Sequence, residues 1–336
     1  MNKQTIEFKN KPILKETGCA VGPKESAGPL AIYFDIRSED AFFKEETFEK
    51  AESKFMKSAI DTLLSKAGLQ YIDIDYILAG DLLNQCIASG YCIRDLNIPF
   101  LGLFGACSTF VEGMILASIL VDGNYAKNCI NVASSHFCSA ERQFRMPLEH
   151  GNQKSPTAQC TVTGAGASLI SNNSNNSKSI IVTYATPGKI VDLGVKDMSN
   201  MGAAMAPAAA DTILTHLKDL NRDPEYYDLI ITGDLGIHGS NHLLELCLRE
   251  GFDLTKVHKD CGKEIFDLTE RDMNSGGSGC GCIASTFCGY FYSKLKEKNI
   301  NKILLVATGA LMSPISIGQG ETIPCIAHAI VIENEV

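Results

Sequence analysis

With 336 residues, 45% of them apolar, the chain is long enough for one large α/β unit or two compact halves with a sizeable core. A net charge of −9 and the absence of any long Lys/Arg run exclude nucleic acid as an expected partner. The longest apolar stretch, Val111 to Val121, is shorter than the roughly twenty residues of a membrane-spanning helix. An odd count of 13 cysteines and an opening MNKQTIEFKNK without an apolar core predict reduced, intracellular thiols.

Residues 1–40 read as an irregular arm with turns at Gly22-Pro23 and Gly28-Pro29, ahead of a possible strand LAIYFDI. From Glu45 to Ala67 the pattern is helical: Phe48, Ala51, Phe55, Ala59, Ile60, Leu63 and Leu64 share a face, and Gly68 marks the stop. Tyr76 to Ala79 is a short apolar run closed by Gly80-Asp81, as expected of a buried parallel strand. Leu82 to Ile93 reads as a helix, Pro99 to Leu103 as a strand and Asn128 to Ala133 as another. Between the last two lies FGACSTFVEGMILASILVDG, Phe104 to Gly123, a small-residue turn opening into a helix that only Glu112 keeps from being apolar all round. Such a helix belongs in a core. Its first positions hold Cys107 and Ser108, where free backbone N–H groups and the helix dipole favour an anion or a thiolate. Cys107 is thus a candidate nucleophile or pocket floor, unless it is simply a small buried thiol closing a helix start.

The polar segment SNNSNNSKS, Ser171 to Ser179, joins two apolar runs and reads as a solvated hairpin loop. On either side of it the chain repeats itself. DYILAGDL at Asp75 to Leu82 is matched by DLIITGDL at Asp228 to Leu235, and each is followed later by a Gly/Cys-rich turn, a helix and a strand. These are GACST and NCINVASS in one half, and GGSGCGC, the helix Ile283 to Lys298 and KILLVATG in the other. The expectation is two related halves, residues 1–175 and 176–336, with their apolar helices sandwiched between two sheets in an α–β–α–β–α arrangement.

That arrangement brings Cys107 near Asp81, at one strand end, and near Asp234 and Gly276 to Cys282. Asp81 is a candidate binding carboxylate, or else the cap of the next helix. His136, Arg142 and Arg145 form the densest imidazole–guanidinium group in the chain. They suit a carboxylate ligand, and equally a surface pair at a subunit contact. Cys280, Cys282 and Cys288 lack zinc-knuckle spacing, and SGGSGCGC lacks the Lys of a phosphate loop, so no metal or cofactor is expected.

Cys107 at the start of a buried helix, the duplicated halves, and VATGALMSP followed by QGETIPCIAHAIVIE resemble the thiolase-like superfamily of condensing enzymes, five-layered αβαβα proteins that are usually homodimers. GPKE at Gly22, LAGDLLNQ at Leu78, FGACST at Phe104, AERQFR at Ala140, MAPAAADT at Met205 and GGSGCGC at Gly276 are similar to the stage V sporulation protein AD family of spore-forming bacteria. That resemblance spans nearly the whole chain. It implies a non-catalytic protein that binds dipicolinic acid or its calcium chelate during uptake into the developing spore. It also implies membrane-embedded partners from the same operon and a peripheral place at the forespore or spore inner membrane.

Working condensing enzymes set a His, and an Asn or second His, beside the cysteine. At the first matching place this chain has Gly233 and Asp234, and at the second Gly276 and Gly277. A shifted register could return His238, His242 or Asn274. Without such partners the helix dipole could acidify Cys107 only slightly. The residues expected to hold a planar diacid are Cys107, Ser108, His136 and Arg142, with Asp81 accepting from Asn84 or meeting a ligand-borne calcium. The competing expectations are an active acyltransferase of the ketoacyl synthase type with Cys107 as nucleophile, and a structural subunit with an empty pocket.

Overall fold

The computed structural model describes residues 3–144, 155–172, 179–270 and 273–335. Ten strands form the framework: β1 (Ile13–Val21), β2 (Tyr76–Gly80), β3 (Phe100–Gly102), β4 (Asn128–Ser135), β5 (Gly164–Ser171), β6 (Ile180–Thr186), β7 (Leu229–Thr232), β8 (His258–Asp260), β9 (Lys302–Ala310) and β10 (Cys325–Asn334). Their order is β3-β2-β4-β5-β1, then β6-β10-β9-β7-β8. In each set of five the first strand pairs antiparallel with the fifth and the fifth antiparallel with the fourth, while the remaining pairs are parallel. The two sets share one connectivity and touch through a single residue pair between β1 and β6, Ile13 with Ile181.

The sequence repeat has a structural cause. Asp75 accepts the backbone N–H groups of Lys127 and Asn128 at 2.7 and 2.9 Å, fixing the start of β4 against β2. Asp228 does the same for Asn301 and Lys302 at the start of β9, at 2.6 and 3.0 Å. One carboxylate per half sets strand register by satisfying two donors at once. The division between residues 175 and 176 lies outside the described residues.

Helix α1 (Phe48–Ala67) starts at an N-cap where Thr47 accepts from Lys50 N–H, and stops at Gly68 in the left-handed conformation. Its apolar face covers β1, β5 and β4 from outside. Helix α2 (Thr109–Asp122), buried over most of its surface, lies between the two sheets. Helix α3 (Phe137–Phe144) follows β4. Helices α4 (Met201–Leu220) and α5 (Gly236–Arg249) cover the second sheet. Helix α6 begins as Cys280–Thr286, passes through a π-turn at Phe287–Phe291 and ends as Tyr292–Lys296 beside α2. Five layers result, α1 / sheet / α2 and α6 / sheet / α4 and α5. Phe110 of α2 meets Phe287 of α6 with ring centroids 6.1 Å apart, and both are fully buried. At Gly166 of β5 a Cβ would lie 2.1 Å from the Ala284 carbonyl oxygen, so glycine sets how closely α6 approaches the sheet.

Three expectations are corrected. The N-terminal arm is not irregular: it contains β1, whose residues Lys15, Glu16 and Thr17 hide a buried strand behind polar side chains. Thr17 donates to the Cys288 carbonyl at 2.8 Å and Glu16 pairs with Lys296 at 3.0 Å. LAIYFDI is strand only at its last residue, Ile36, which pairs with Ala20 of β1; before it Ala31–Tyr33 forms a 3-10 turn held by Tyr33 N–H to Leu30 O, with Ile32 exposed. Finally, the runs flanking SNNSNNSKS do not form a hairpin, because β1 lies between β5 and β6; residues 173–178 themselves are outside the described residues.

Candidate functional site

Between β3 and α2 the chain makes a 3-10 turn, Ala106–Ser108. Ala106 has φ +51°, a left-handed conformation rare for a residue with a side chain. Its carbonyl explains the geometry: it accepts from the Thr109 hydroxyl at 2.7 Å and the Cys280 thiol at 2.9 Å, so both Gly/Cys-rich turns close on one atom. A Cβ at Gly309 of β9 would sit 2.5 Å from Gly105 O, so this strand end must also be bare.

Cys107 is thereby placed at the floor of a cavity of about 380 Å³. Thr161 and Ser278, from the short parallel pair Cys160–Thr161 and Gly277–Ser278, continue the floor. Ala140, Glu141 and Phe144 of α3 form one wall; Leu311, Met312, Ser313 and Ser316 form another. Leu82, Phe104 and Met201 complete the mainly apolar lining, a composition and size suited to a small organic ligand.

Asp234 lies beneath this floor, buried at the end of β7. Its carboxylate accepts from the Thr308 hydroxyl at 2.8 Å, the Ser278 hydroxyl at 3.0 Å and Gly279 N–H at 3.1 Å, and it lies close enough to the Cys107 thiol for the two groups to influence each other. Burial raises its pKa, and these donors oppose the rise. The consequence for Cys107 is the reverse of activation. Burial first, then the Asp234 carboxylate and the Cys280 thiol, push the Cys107 thiol well above its ordinary value. Slight acidification by the helix dipole is overridden, since an adjacent anion and desolvation both disfavour the thiolate.

Of the six anticipated binding residues, Cys107 lines the cavity; the other five side chains do not. Ser108 is buried, and both its N–H and its hydroxyl donate to Gly105 O. Asp81 accepts from Leu83 N–H at 2.9 Å and from Ser89 N–H and hydroxyl at 2.8 and 2.6 Å. That is the capping alternative, and its donors exclude Asn84. Asn84 is exposed, with its N–H on the Gln143 side chain. His136 is buried away from the cavity: Nε2 donates to Ala41 O at 2.7 Å, Nδ1 accepts Cys138 N–H, and burial lowers its pKa, keeping it neutral. Arg142 stacks on Phe48 and lies 3.8 Å from Glu49, because α3 turns positions 140, 141 and 144 to the cavity and 142 toward α1. Arg145 lies outside the described residues. His238, His242 and Asn274 are not in the lining, so no register shift returns them.

Thr161, Thr308 and the wall from Leu311 to Ser316 were not anticipated, and Ser278 was not singled out within the stretch Gly276 to Cys282 expected near Cys107. For Ser278, Thr308 and Ser313 the signal was a hydroxyl inside GGSGCGC or VATGALMSP; Thr161, in QCTVTG, had none. Among the described residues there is no group of three His, Cys, Asp or Glu placed to hold a metal, and no helix long and apolar enough to cross a membrane.

Five layers with a duplicated connectivity and a buried thiol at the central helix start define a thiolase-like scaffold. Solved structures agree. 3-Oxoacyl-(acyl-carrier-protein) synthase III from Aquifex aeolicus VF5 superposes with a TM-score of 0.60 over 96% of this chain and 99% of that one, at 14% identity. A cerulenin-bound OleA of Xanthomonas campestris gives a TM-score of 0.61 over 97% and 98%, at 15% identity. At these identities the likeness concerns the fold. Sequence similarity is more specific: the model of the family "Stage V sporulation protein AD (SpoVAD)" matches residues 2–333. The stage V sporulation protein AD of Bacillus subtilis (strain 168) is 46% identical over 332 residues, which cover 99% of this chain and 97% of that protein. The chain belongs to the stage V sporulation protein AD family.

Proposed function

We propose that this protein is a non-catalytic ligand carrier of sporulation, holding dipicolinic acid or its calcium chelate in the cavity above Cys107 during uptake into the developing spore. The observation that carries the non-catalytic half is Asp234. A condensing enzyme needs its cysteine as a thiolate with cationic or neutral donors around it, and here the neighbour is a buried carboxylate, which disfavours the thiolate. The ligand half rests on family membership and on a lining whose size and chemistry suit a small planar ring. Phe104, Phe144 and the two methionines would flank the ring, and Thr161, Ser313 and Ser316 offer hydroxyls.

The reading includes a peripheral position at the forespore or spore inner membrane beside membrane-embedded subunits of the same operon. It also includes a homodimer, supported by the open edge of β3, where Phe100 and Leu101 are 39% and 43% exposed.

The test is calorimetric titration of the purified protein with dipicolinate, with and without calcium, alongside intact-mass analysis after exposure to acyl-CoA. Saturable heat that Cys107→Phe abolishes by filling the floor, with no acyl adduct, supports the carrier. Absence of heat together with an acyl mass that disappears in Cys107→Ala would instead identify an acyltransferase.

A further inference from the structure

The duplication places two strand-end carboxylates in equivalent positions, and they are used differently. Asp81 takes all its donors from Leu83 and Ser89 on its own turn. The corresponding local duty in the second half falls to Asp260, which accepts Leu235 N–H at 2.9 Å, Gly236 N–H at 3.0 Å and the Thr232 hydroxyl at 2.7 Å. Asp234 is thereby released from capping α5. One of its donors, Ser278, lines the cavity beside Cys107.

A hydroxyl has one hydrogen to give and two lone pairs; a thiol has one hydrogen likewise. When Ser278 directs that hydrogen down to Asp234, what its oxygen keeps for a ligand is acceptor capacity, and the Cys107 thiol beside it shares the same buried carboxylate neighbour. We infer that Asp234 is a specificity-determining residue that sets the polarity of the cavity floor, so that the floor receives the electropositive end of a metal-chelated dicarboxylate in preference to a bare carboxylate. The inference rests on the ligand reading above. Calcium takes six to eight oxygen ligands, and a planar pyridine dicarboxylate supplies about three donors, so waters fill the remaining positions. Their hydrogens, sharpened by the cation, are donors that match Ser278 Oγ and Cys107 Sγ. A free carboxylate would meet lone pairs with lone pairs, above a buried negative charge.

The experiment is titration of the full chain with dipicolinate in a calcium chelator, with dipicolinate plus equimolar calcium, and with calcium alone, for the native protein, Asp234→Asn and Ser278→Ala. The expected native result is binding of the chelate at least about tenfold tighter than the free acid, the scale of one hydrogen bond to a charged group. The preference should shrink in Asp234→Asn, whose amide returns a hydrogen to the floor, and in Ser278→Ala, which removes an acceptor and leaves Asp234 in place. If Asp234→Asn does not fold, Ser278→Ala decides. Equal or tighter binding of the free acid, or a preference unchanged in the variants, overturns the inference while leaving the carrier reading intact. No binding of either form overturns both.

Discussion

Replacing Asp234 by Asn should make Cys107 more reactive. In the native site the thiol is buried near the Asp234 carboxylate, and burial first, then that charge, hold its pKa well above the ordinary 9.0. Even a thiol at that ordinary value would be only about 3% thiolate at pH 7.5, and each further unit removes another factor of ten. Two unit charges about 4 Å apart interact by about 4 kcal/mol at an effective dielectric of about 20, equivalent to a factor of about a thousand in thiolate population. The burial penalty stays in the variant and the neighbouring donors relax, so the expected gain is at least about tenfold in alkylation rate, or about 1.4 kcal/mol. Iodoacetamide labelling at pH 7.5 with peptide mass mapping reads this directly, using the half-buried Cys138 as an internal reference. Equal Cys107 rates in the two proteins would refute the argument. So would a native Cys107 that outpaces Cys138.

Two other outcomes are expected. Phe110→Ala, which empties a fully buried ring site between α2 and α6, should cost about 3–5 kcal/mol in urea unfolding, as large-to-small core changes do. Stability should also fall as pH rises from about 6.5 to about 8.5. Burial, then Asp81, raises Glu52 to about 8, and burial raises Glu25 and Asp260 to about 7. These groups hold protons in the folded chain that the unfolded chain has already released, so the stability they contribute is complete at low pH and is lost through their folded values. His216, His258 and His328, held at about 3 to 4 by burial, are neutral in the folded chain, while the unfolded chain's imidazoles lose their protons around 6.5, so they offset part of the slope at the lower end of the window and little of it above about pH 7.5. Urea midpoints at several pH values check this, and Glu52→Gln should flatten the decline.

The parts of the fold legible in the sequence are those where one residue type does an unambiguous job. An apolar circumference placed α2 in the core, Gly68 marked a helix end, and Asp75 and Asp228 opened the repeated motifs because each satisfies two backbone N–H groups at a strand start; the cap at Thr47, two residues inside the expected helix, was not read. The duplicated motifs gave the layer order for the same reason. β1 stayed hidden because its polar residues are paid for by partners nearly three hundred positions away, at Cys288 and Lys296. The site divides similarly. The proximity of Cys107 to Asp234 follows from pairing the halves, and the structure brings the two together. The cavity walls could not be read, because Met201 and Leu311 to Ser316 reach Cys107 only through the packing of the second half. His136 and Arg142 show the opposite failure: their chemistry suited a diacid, and a turn of α3 and the carbonyl of Ala41 direct them elsewhere.

The central claim is that a small diacid occupies a cavity whose cysteine no longer performs chemistry. A crystal of the protein grown or soaked with dipicolinate and calcium tests it most directly. The account predicts density for the planar chelate against Cys107, Thr161 and Ser278, with its calcium end toward the floor and Cys107 unmodified. Density elsewhere on the molecule with this cavity vacant, or a covalent group on Cys107 after acyl-CoA exposure, would contradict it.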